Sequence, residues 1–202
     1  MAVGILGLAG RALLAAWESL PKRDGVPDRA SFNPFSIPQA LPVIAMIETE
    51  SGSDWRLRLT GTEIDRRNGF CLTGHDYLSY LRDDVRSMYL DIFAKVVSLP
   101  CASWEVRRIE RRSGQLSLVE VLRFPLRAPD GRVRYIISSN EEVDAACLAG
   151  FQSRILTKTQ ESDAMVSVVN PIGHQFIDVG AGIPLSSAEA GPRELRPAAA
   201  AV

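Results

Sequence analysis

The chain has 202 residues, of which 46% are hydrophobic, and its formal net charge is −1 at pH 7. This length and composition support one domain of ordinary size with a real core, and the charge balance gives no reason to expect a nucleic acid partner. The 3 cysteines are widely spaced and form no CxxC pair, which disfavours zinc and a disulfide framework and favours a cytoplasmic location.

An amphipathic helix is predicted near the start, from about Leu8 to Leu20, and Pro21 ends it. Leu13 and Trp17 recur on it at helical spacing. The apolar run at the N-terminus is too short to span a bilayer and lacks the preceding basic residue of a signal peptide. We therefore expect no transmembrane segment.

A proline-rich connector is predicted to follow, up to Pro42. Its two phenylalanines, Phe32 and Phe35, favour an ordered path over a disordered linker. Asn33 is well placed to cap a short helix that begins at Pro34, because proline is favourable at the first helical position.

Two antiparallel strands come next, at Val43–Glu48 and around Leu57, joined by a turn over residues 51–54. In the second strand Trp55, Leu57 and Leu59 alternate with polar residues, which is the period of a half-buried strand.

A helical segment bounded by glycines follows the second strand. Gly61 interrupts the strand, Thr62 is expected to cap a short helix over residues 63–68, and Gly69 suits the left-handed position after a helix end. Further along, the sequence predicts a longer helix that one of the aspartates at 83 and 84 caps and that runs to about residue 98.

Three more strands and a C-terminal extension complete the chain. The strands are predicted at Ala102–Arg111, Leu116–Arg127 and Val133–Asn140, and turn-forming Ser-Gly and Pro-Asp-Gly sequences make them consecutive hairpins. Residues 151–162 could form one or two helical turns, and the tail from about 180 is expected to be poorly ordered. The predicted divisions are a helix and connector at 1–42, a core domain at 43–144 and an extension at 145–202.

Several short motifs occur in one order between about Leu13 and Glu142. They are Trp17 on the leading helix, Pro27-Asp28-Arg29, Phe32-Asn33-Pro34, Ile37-Pro38, Leu41-Pro42, Leu59-Thr60-Gly61-Thr62 and Leu72-Thr73-Gly74. Together with the order of the elements, these motifs resemble a bacterial subfamily of PAS domains, mostly short stand-alone proteins.

The resemblance implies an α+β fold, with a five-stranded antiparallel sheet, short helices across one face that enclose a cavity, and an amphipathic helix at the N-terminus. It also implies a role in signal transduction, either as a sensor of a small molecule or as a docking site for a protein partner. It implies no enzymatic activity and no particular ligand.

Two residues are candidate cofactor contacts, since some PAS domains hold haem or flavin. His75 follows a glycine in a polar turn, where an exposed histidine is expected rather than a haem ligand. Cys71 lacks the Asn-Cys-Arg pattern of light-sensing relatives, and we interpret it as a small buried hydrophobe. We therefore expect no cofactor and no metal.

Charged residues on the later strands were also weighed. Arg107 and its neighbouring arginines alternate with Glu105 and other glutamates, which favours a solvated strand face. Glu120 lies on an otherwise apolar row, where it needs a partner. That partner could be a ligand in the cavity or an arginine such as Arg107 or Arg134, unless a bulge shifts the strand phase.

The predicted cavity lining comes from the helices and from one face of the sheet. It comprises Leu57, Leu59, Ile64, Phe70, Leu78, Ile92, Val96, Leu118, Glu120, Leu122, Tyr135 and Ile137. The same side chains could instead fill the space as an ordinary core, which would make the protein a scaffold without a ligand.

The opposite sheet face is expected to carry Val119, Val121 and Ile136, covered by the leading helix. Leu13 and Trp17 on that helix could pack on the sheet or mediate a homodimer. A third hypothesis is a small-molecule enzyme that uses Glu120 or His75 in the cavity.

Overall fold

One antiparallel sheet with helices on both faces organises the chain. The computed structural model describes residues 7–110, 116–144 and 168–184. The helices are α1 (Leu8–Ser19), α2 (Thr62–Asn68) and α3 (Asp83–Ser98). The strands of this sheet are β1 (Ile44–Glu48), β2 (Arg56–Thr60), β3 (Ala102–Glu110), β4 (Leu116–Arg127), β5 (Val133–Val143) and β6 (Val168–Ile177). Two further short strands, Lys22–Arg23 and Val26–Pro27, pair with each other in a separate antiparallel ribbon. Short 3₁₀ turns lie at Arg29–Ser31, Pro34–Ser36, Leu41–Val43 and Tyr77–Tyr80.

The strand order in the sheet is β2-β1-β5-β4-β3-β6, and all neighbours are antiparallel. The five predicted strands are therefore present, with the first strand of the chain in contact with the last of the five. Hairpin connections join β1 to β2 and β4 to β5, as the turn residues predict.

The sixth strand was not anticipated. It comes from the C-terminal extension and pairs with β3 from Ala102 to Glu110. No strand is predicted in this extension, yet His174 lies in β6, in register with Glu105. An unpaired edge of β3 would expose a row of backbone groups, which β6 satisfies. The predicted turns at 151–162 lie outside the described residues, as does the tail beyond 184.

The outer face of the sheet, defined here as the face that α1 covers, is filled by large apolar side chains. Leu13 and Trp17 of α1 are buried there, and the Trp17 ring stacks on Phe124 with 5.0 Å between centroids. The Trp17 indole Nε1 also donates a hydrogen bond to the carbonyl oxygen of Pro125 at 3.0 Å. The amphipathic helix prediction is thereby confirmed, and α1 belongs to the core.

The inner face is the opposite face, which α2, the 3₁₀ turn at Tyr77–Tyr80 and α3 cover. Side chains of α3 and of the turn pack there against β1 and β5, with Leu78, Tyr89 and Phe93 fully or almost fully buried. Both faces are covered, as an antiparallel sheet that is apolar on both sides requires.

The α2 segment begins differently from the prediction. Thr62 is the first helical residue rather than the cap, and the residue before the helix is Gly61, which has no side chain to offer. A Cβ atom at Gly61 would clash with the carbonyl oxygens of Leu41 and Pro42, so close backbone approach selects glycine there. Gly69 has φ of 79° just after the helix, and this prediction is confirmed.

Of the two other predicted helix caps, one is confirmed and one is wrong. The Asn33 side chain accepts a hydrogen bond from the Phe35 N–H at 3.0 Å, as predicted. At α3 the residue before the helix is Arg82, while Asp83 and Asp84 occupy the first turn, where negative charge complements the helix dipole. Among the described residues, no helix is long and apolar enough to cross a membrane.

Candidate functional site

A cavity of about 100 Å³ lies between the inner face and the layer formed by α2 and the turn before α3. Most of its walls are aliphatic or aromatic, and a few polar side chains reach it. Its lining comprises Ala45, Leu57, Ile64, Arg67, Asn68, Leu72, Tyr77, Tyr80, Leu81, Arg107, Ile109, Val119 and Asn140.

The polar part of the wall is organised around Arg107 of β3. Its Nη1 donates to the hydroxyl oxygens of Tyr77 at 2.9 Å and Tyr89 at 3.3 Å, and its Nη2 donates to Asn140 Oδ1 at 3.2 Å. From the other side, Arg67 Nη1 of α2 donates to the Asn140 carbonyl oxygen at 3.0 Å. Two guanidinium groups therefore meet at Asn140.

A buried ionic network lies behind this wall. Glu105 is fully buried, and its Oε1 accepts hydrogen bonds from Tyr89 Oη at 2.6 Å and Arg123 Nη2 at 2.9 Å. Arg107 Nη1 lies 3.6 Å from the same oxygen. The Arg123 guanidinium also lies over the rings of Tyr89 and Phe93, at 5.4 and 5.5 Å from their centroids.

The network keeps Glu105 ionised. Burial alone would raise the pKa of this carboxyl group, but the charges of Arg123 and Arg107 and the hydrogen bonds from Arg123 and Tyr89 lower it to about 2. The pKa of Tyr89 is raised, because burial and the nearby Glu105 charge both oppose its ionisation. Tyr89 is therefore a neutral donor and Glu105 an anionic acceptor.

The side chain of His174 reaches the same region from β6. Burial, followed by the positive charges of Arg123 and Lys95, lowers its pKa to about 4, although Glu105 and Asp91 act in the opposite direction. Its ring packs edge-on against Phe176 with 4.7 Å between centroids. His174 is thus neutral at physiological pH.

Several polar atoms of the network have no hydrogen-bond partner among the described residues. They are Glu105 Oε2, Arg107 Nε, Arg123 Nη1 and His174 Nε2. Buried polar atoms are nearly always hydrogen-bonded, so such a concentration marks a place where water or a ligand can supply the missing partners.

The predicted solvated face for Arg107 and Glu105 is wrong, because both side chains are buried on the inner face. The sequence does carry a signal for this network. Glu105 and Arg107 share one phase of β3, and Arg123 lies two residues from Val121, which pairs with Glu105 on β4. Residues of opposite charge that face the same side of the sheet on adjacent strands can form an ion pair, and this pattern is the same whether that side is buried or exposed.

The side chains of β4 and β5 face the opposite side of the sheet from the one predicted. Leu118, Glu120, Leu122, Tyr135 and Ile137 are expected in the cavity, but Leu122 and Ile137 lie in the outer-face core and Tyr135 packs partly against it. Val119 and Ile136, expected on the outer face, lie on the inner one. The most apolar row is the outer one, because α1 presents bulky side chains there, whereas the inner row contains Arg123 and Asn140.

The remaining predicted lining residues fall into three groups. Leu57 and Ile64 do line the cavity. Leu78, Ile92 and Val96 are buried in the inner-face core and fill space beside the cavity. Leu59 packs against the outer-face core, and Phe70 is 37% exposed. The sequence analysis missed Tyr77, Arg107 and Asn140 as lining residues.

Glu120 is buried on the outer face and anchors the start of α1. Its Oε1 accepts from Trp104 Nε1 at 2.7 Å, and its Oε2 accepts from the Gly7 backbone N–H at 2.8 Å. Its neighbour across the sheet, Glu141, accepts from the Ala9 N–H at 2.8 Å. Predicted contacts of Glu120 with a cavity ligand or with Arg107 are therefore wrong, since Arg107 is on the other face.

Leu13 and Trp17 are both almost fully buried between α1 and the sheet, which leaves them unavailable to a partner while the helix stays in place.

His75 is exposed, as predicted, and its Nδ1 lies 2.6 Å from Tyr80 Oη. Cys71 is exposed rather than buried, because Leu72 takes the inward position in this turn.

A second, more open groove of about 430 Å³ is lined by Glu48, Arg58, Tyr135 and residues around them. Its central charge is already matched. Glu48 Oε2 accepts from Arg58 Nε at 2.5 Å, and Glu48 Oε1 lies 3.6 Å from Arg134 Nε. The cavity on the inner face is therefore the stronger candidate site.

Comparisons with known proteins agree with this architecture. A family model described as a PAS domain matches residues 7–138. Solved structures that overlap the chain include the PAS-B domain of Drosophila melanogaster Cycle with bound glycerol, at 14% identity and a TM-score of 0.39 over 50% of this chain and 99% of that one. A comparison with curated proteins found no match.

Two structures of light-oxygen-voltage proteins also overlap the chain. An RNA-binding receptor is 18% identical, with a TM-score of 0.42 over 61% of this chain and 36% of that one. A domain studied with a flavin analogue is 12% identical, with a TM-score of 0.43 over 58% of this chain and 88% of that one. Because the family match runs from the start of α1 into β5 and covers well over half of the 202 residues, this chain belongs to the PAS domain family.

Proposed function

We propose that this protein is a non-enzymatic signalling sensor that binds a small molecule in the inner-face cavity. The observation that carries the proposal is the difference in filling between the two sheet faces. The outer face is closed by Trp17 and its neighbours, whereas the inner face leaves a space of about 100 Å³ beside buried polar groups. Membership of a family of signalling modules supports the same conclusion.

The composition of the cavity supports ligand binding over simple imperfect packing. Ligand sites are mostly apolar with a small number of placed polar groups, and this cavity combines aliphatic walls with Arg107, Asn140 and Tyr77. A packing defect in a core is lined by apolar groups and stays dry. Here six of the lining side chains can donate or accept hydrogen bonds, namely Arg67, Asn68, Tyr77, Tyr80, Arg107 and Asn140.

The proposed output is a change in how the sheet or α1 engages another molecule. Glu105 of the network behind the cavity lies opposite His174 of β6, so a ligand that rearranges the network acts directly on the edge strand. A second route runs through β4, which carries Arg123 on the inner face and Glu120 under the start of α1.

Native mass spectrometry of the purified full chain tests this function. We expect a retained small molecule of defined mass, and we expect its loss in Val119→Phe, whose ring occupies the cavity. Val106→Ala is the matched control, since Val106 is a buried valine on the adjacent strand but faces the outer side. A bare protein from several preparations, together with no thermal stabilisation by a library of small molecules, would contradict the sensor function.

That contradictory result would favour the second candidate, a scaffold with a filled core that binds a protein partner and no ligand. The observation in its favour is that Leu78, Ile92 and Val96 already fill much of the inner face. An enzyme that uses Glu120 or His75 is the least favoured candidate. Glu120 is buried on the outer face and His75 is exposed, so neither reaches the cavity.

We also propose a cytoplasmic homodimer, as the sequence analysis expects. Its interface would not use Leu13 or Trp17, since both are buried in the chain's own core. The outward side of α1 remains available, where Leu8 is 68% exposed. Sedimentation at several concentrations distinguishes one chain from two, and Leu8→Lys should shift the equilibrium towards the single chain.

A further inference from the structure

The ionic network behind the cavity contains two positive charges and one negative charge. Among the described residues, the ion pairs of Arg107 and Arg123 both lead to Glu105. A charge without compensation is strongly unfavourable in a protein interior, unless a partner or water supplies the missing interaction. The network is therefore one negative charge short of balance.

The surplus charge belongs to Arg107. Arg123 is the closer partner of Glu105, at 2.9 Å against 3.6 Å for Arg107. The hydrogen bonds of Arg107 go to neutral groups, and its Nε has no partner within the part of the chain that the structure describes. Its side chain is only 9% exposed, and it lines the cavity. A guanidinium whose charge is not fully matched therefore borders the cavity.

The groups around Arg107 suit a carboxylate. The Tyr77 hydroxyl accepts from Arg107, which leaves its own hydrogen to donate to a ligand. A guanidinium and a hydroxyl together can satisfy both oxygens of a carboxylate. Arg67 also borders the cavity, but its charge is matched by Glu63 at 2.9 Å and Glu142 at 3.6 Å.

The rest of the cavity suits a short apolar chain. Ile64 of α2, Leu72, Leu81, Ile109 and Val119 contribute only aliphatic surface. A space of about 100 Å³ suits a chain of a few carbon atoms and is too small for a long-chain fatty acid.

We propose that the cavity binds a short-chain carboxylic acid, whose carboxylate pairs with Arg107 and accepts from Tyr77 while its alkyl chain contacts Ile64 and Val119. The ligand supplies the negative charge that the network lacks. This inference rests on the proposed sensor function, because it names the class of molecule that the sensor detects.

Calorimetric titration of the full chain with sodium butyrate and with butyramide tests the charge requirement, because the two probes have nearly the same shape. We expect butyrate to bind at least tenfold more tightly than the amide. Within the series from acetate to octanoate, affinity should rise about three- to fourfold per methylene and then fall once the cavity is full.

The variant Arg107→Met removes the proposed partner and leaves the Glu105–Arg123 pair intact. We expect it to bind butyrate and butyramide within about twofold of each other. Arg108→Met is the matched control, since Arg108 is the next residue of the same strand and is exposed. This control should keep the preference for the acid unchanged.

Each outcome separates this inference from the proposed function. Equal binding of acid and amide to the unmodified protein, abolished by Val119→Phe, would overturn the carboxylate inference and leave a cavity sensor in place. No binding by any probe, together with no retained molecule in native mass spectrometry, would overturn both. If Arg107→Met does not fold, the comparison of butyrate with butyramide on the unmodified protein still decides.

Discussion

The two faces of this sheet are formed by the same strands but differ in the side chains that they present and in how tightly these pack. On the outer face β4 presents Leu122, Phe124 and Leu126, and Trp17 closes the layer with a stacked ring and a buried hydrogen bond. On the inner face the same strand presents Val119 to the cavity and Arg123 to Glu105. Under α1 the outer face is therefore packed with large apolar side chains around the buried Glu120, whereas the inner face leaves a cavity beside an ionic network.

The strongest way to test this contrast is to remove the centre of the outer face. Trp17→Ala deletes the stacking on Phe124 and the hydrogen bond to Pro125, and it opens a large void, so we expect a loss of about 3–5 kcal/mol in the free energy of unfolding. Urea denaturation measures it. Phe35→Ala is the control, because that ring is 77% exposed and should change stability by less than about 0.5 kcal/mol.

A matched pair of valines compares the two faces directly. Val106 and Val119 are both 1% exposed and lie on adjacent strands, but Val106 belongs to the outer core and Val119 borders the cavity. Val106→Leu should overpack and lose about 1–3 kcal/mol of stability. Val119→Leu should be neutral or gain up to about 1 kcal/mol, because the added methylene enters existing space.

Thermal denaturation of both valine variants measures the difference between them. Equal destabilisation by the two substitutions would mean that the inner face is packed as tightly as the outer one. In that case the cavity would not hold a ligand in the folded protein.

The edge strand adds a pH dependence to the inner face. The pKa of His174 is about 4 in the folded chain and near 6.5 in the unfolded one, so the unfolded state binds the proton more readily between these values. The free energy of unfolding should therefore decrease as pH falls below about 6.5, by on the order of 1 kcal/mol per pH unit at most. The contribution of His174 should level off below about pH 4, where protonation of Glu105, whose pKa is lowered to about 2, adds a further decrease.

Thermal unfolding between pH 7 and pH 5 measures this slope. His174→Gln should flatten it, because the residue that gains the proton on unfolding is gone. The chain has 2 histidines, which makes His75→Gln the matched control for the loss of one imidazole. An undiminished slope in His174→Gln would show that another group governs this pH range.

Much of the fold could be predicted from local patterns. Alternation in residues 55–59 and the glycine at 69 specify a strand and a helix end through backbone geometry, and both are observed. The order of elements carried the family resemblance, which the match to residues 7–138 confirms. These features depend on interactions between residues that are close together in the chain, so a single sequence is enough to predict them.

The site could not be predicted as well, because it depends on which sheet face meets which helix. A strand with two buried faces has two inward rows, and the more apolar row of β4 was assigned to the cavity. That row is instead the one under Trp17. The inner row stays buried with Arg123 paired to Glu105 of the adjacent strand β3, which also carries Arg107. Strand β6 was missed for a similar reason, since pairing with β3 joins residues about seventy positions apart.

The most direct test of the central claim compares Arg107→Met with Arg123→Met in urea denaturation, with and without butyrate. We expect Arg107→Met to stay within about 1 kcal/mol of the unmodified protein, because the Glu105–Arg123 pair survives, but to gain no stability from butyrate. Arg123→Met should lose about 3 kcal/mol. The opposite finding is that Arg107→Met is destabilised as strongly as Arg123→Met and that butyrate stabilises neither it nor the unmodified protein. Arg107 would then be an ordinary structural residue, and the proposed carboxylate site would be wrong.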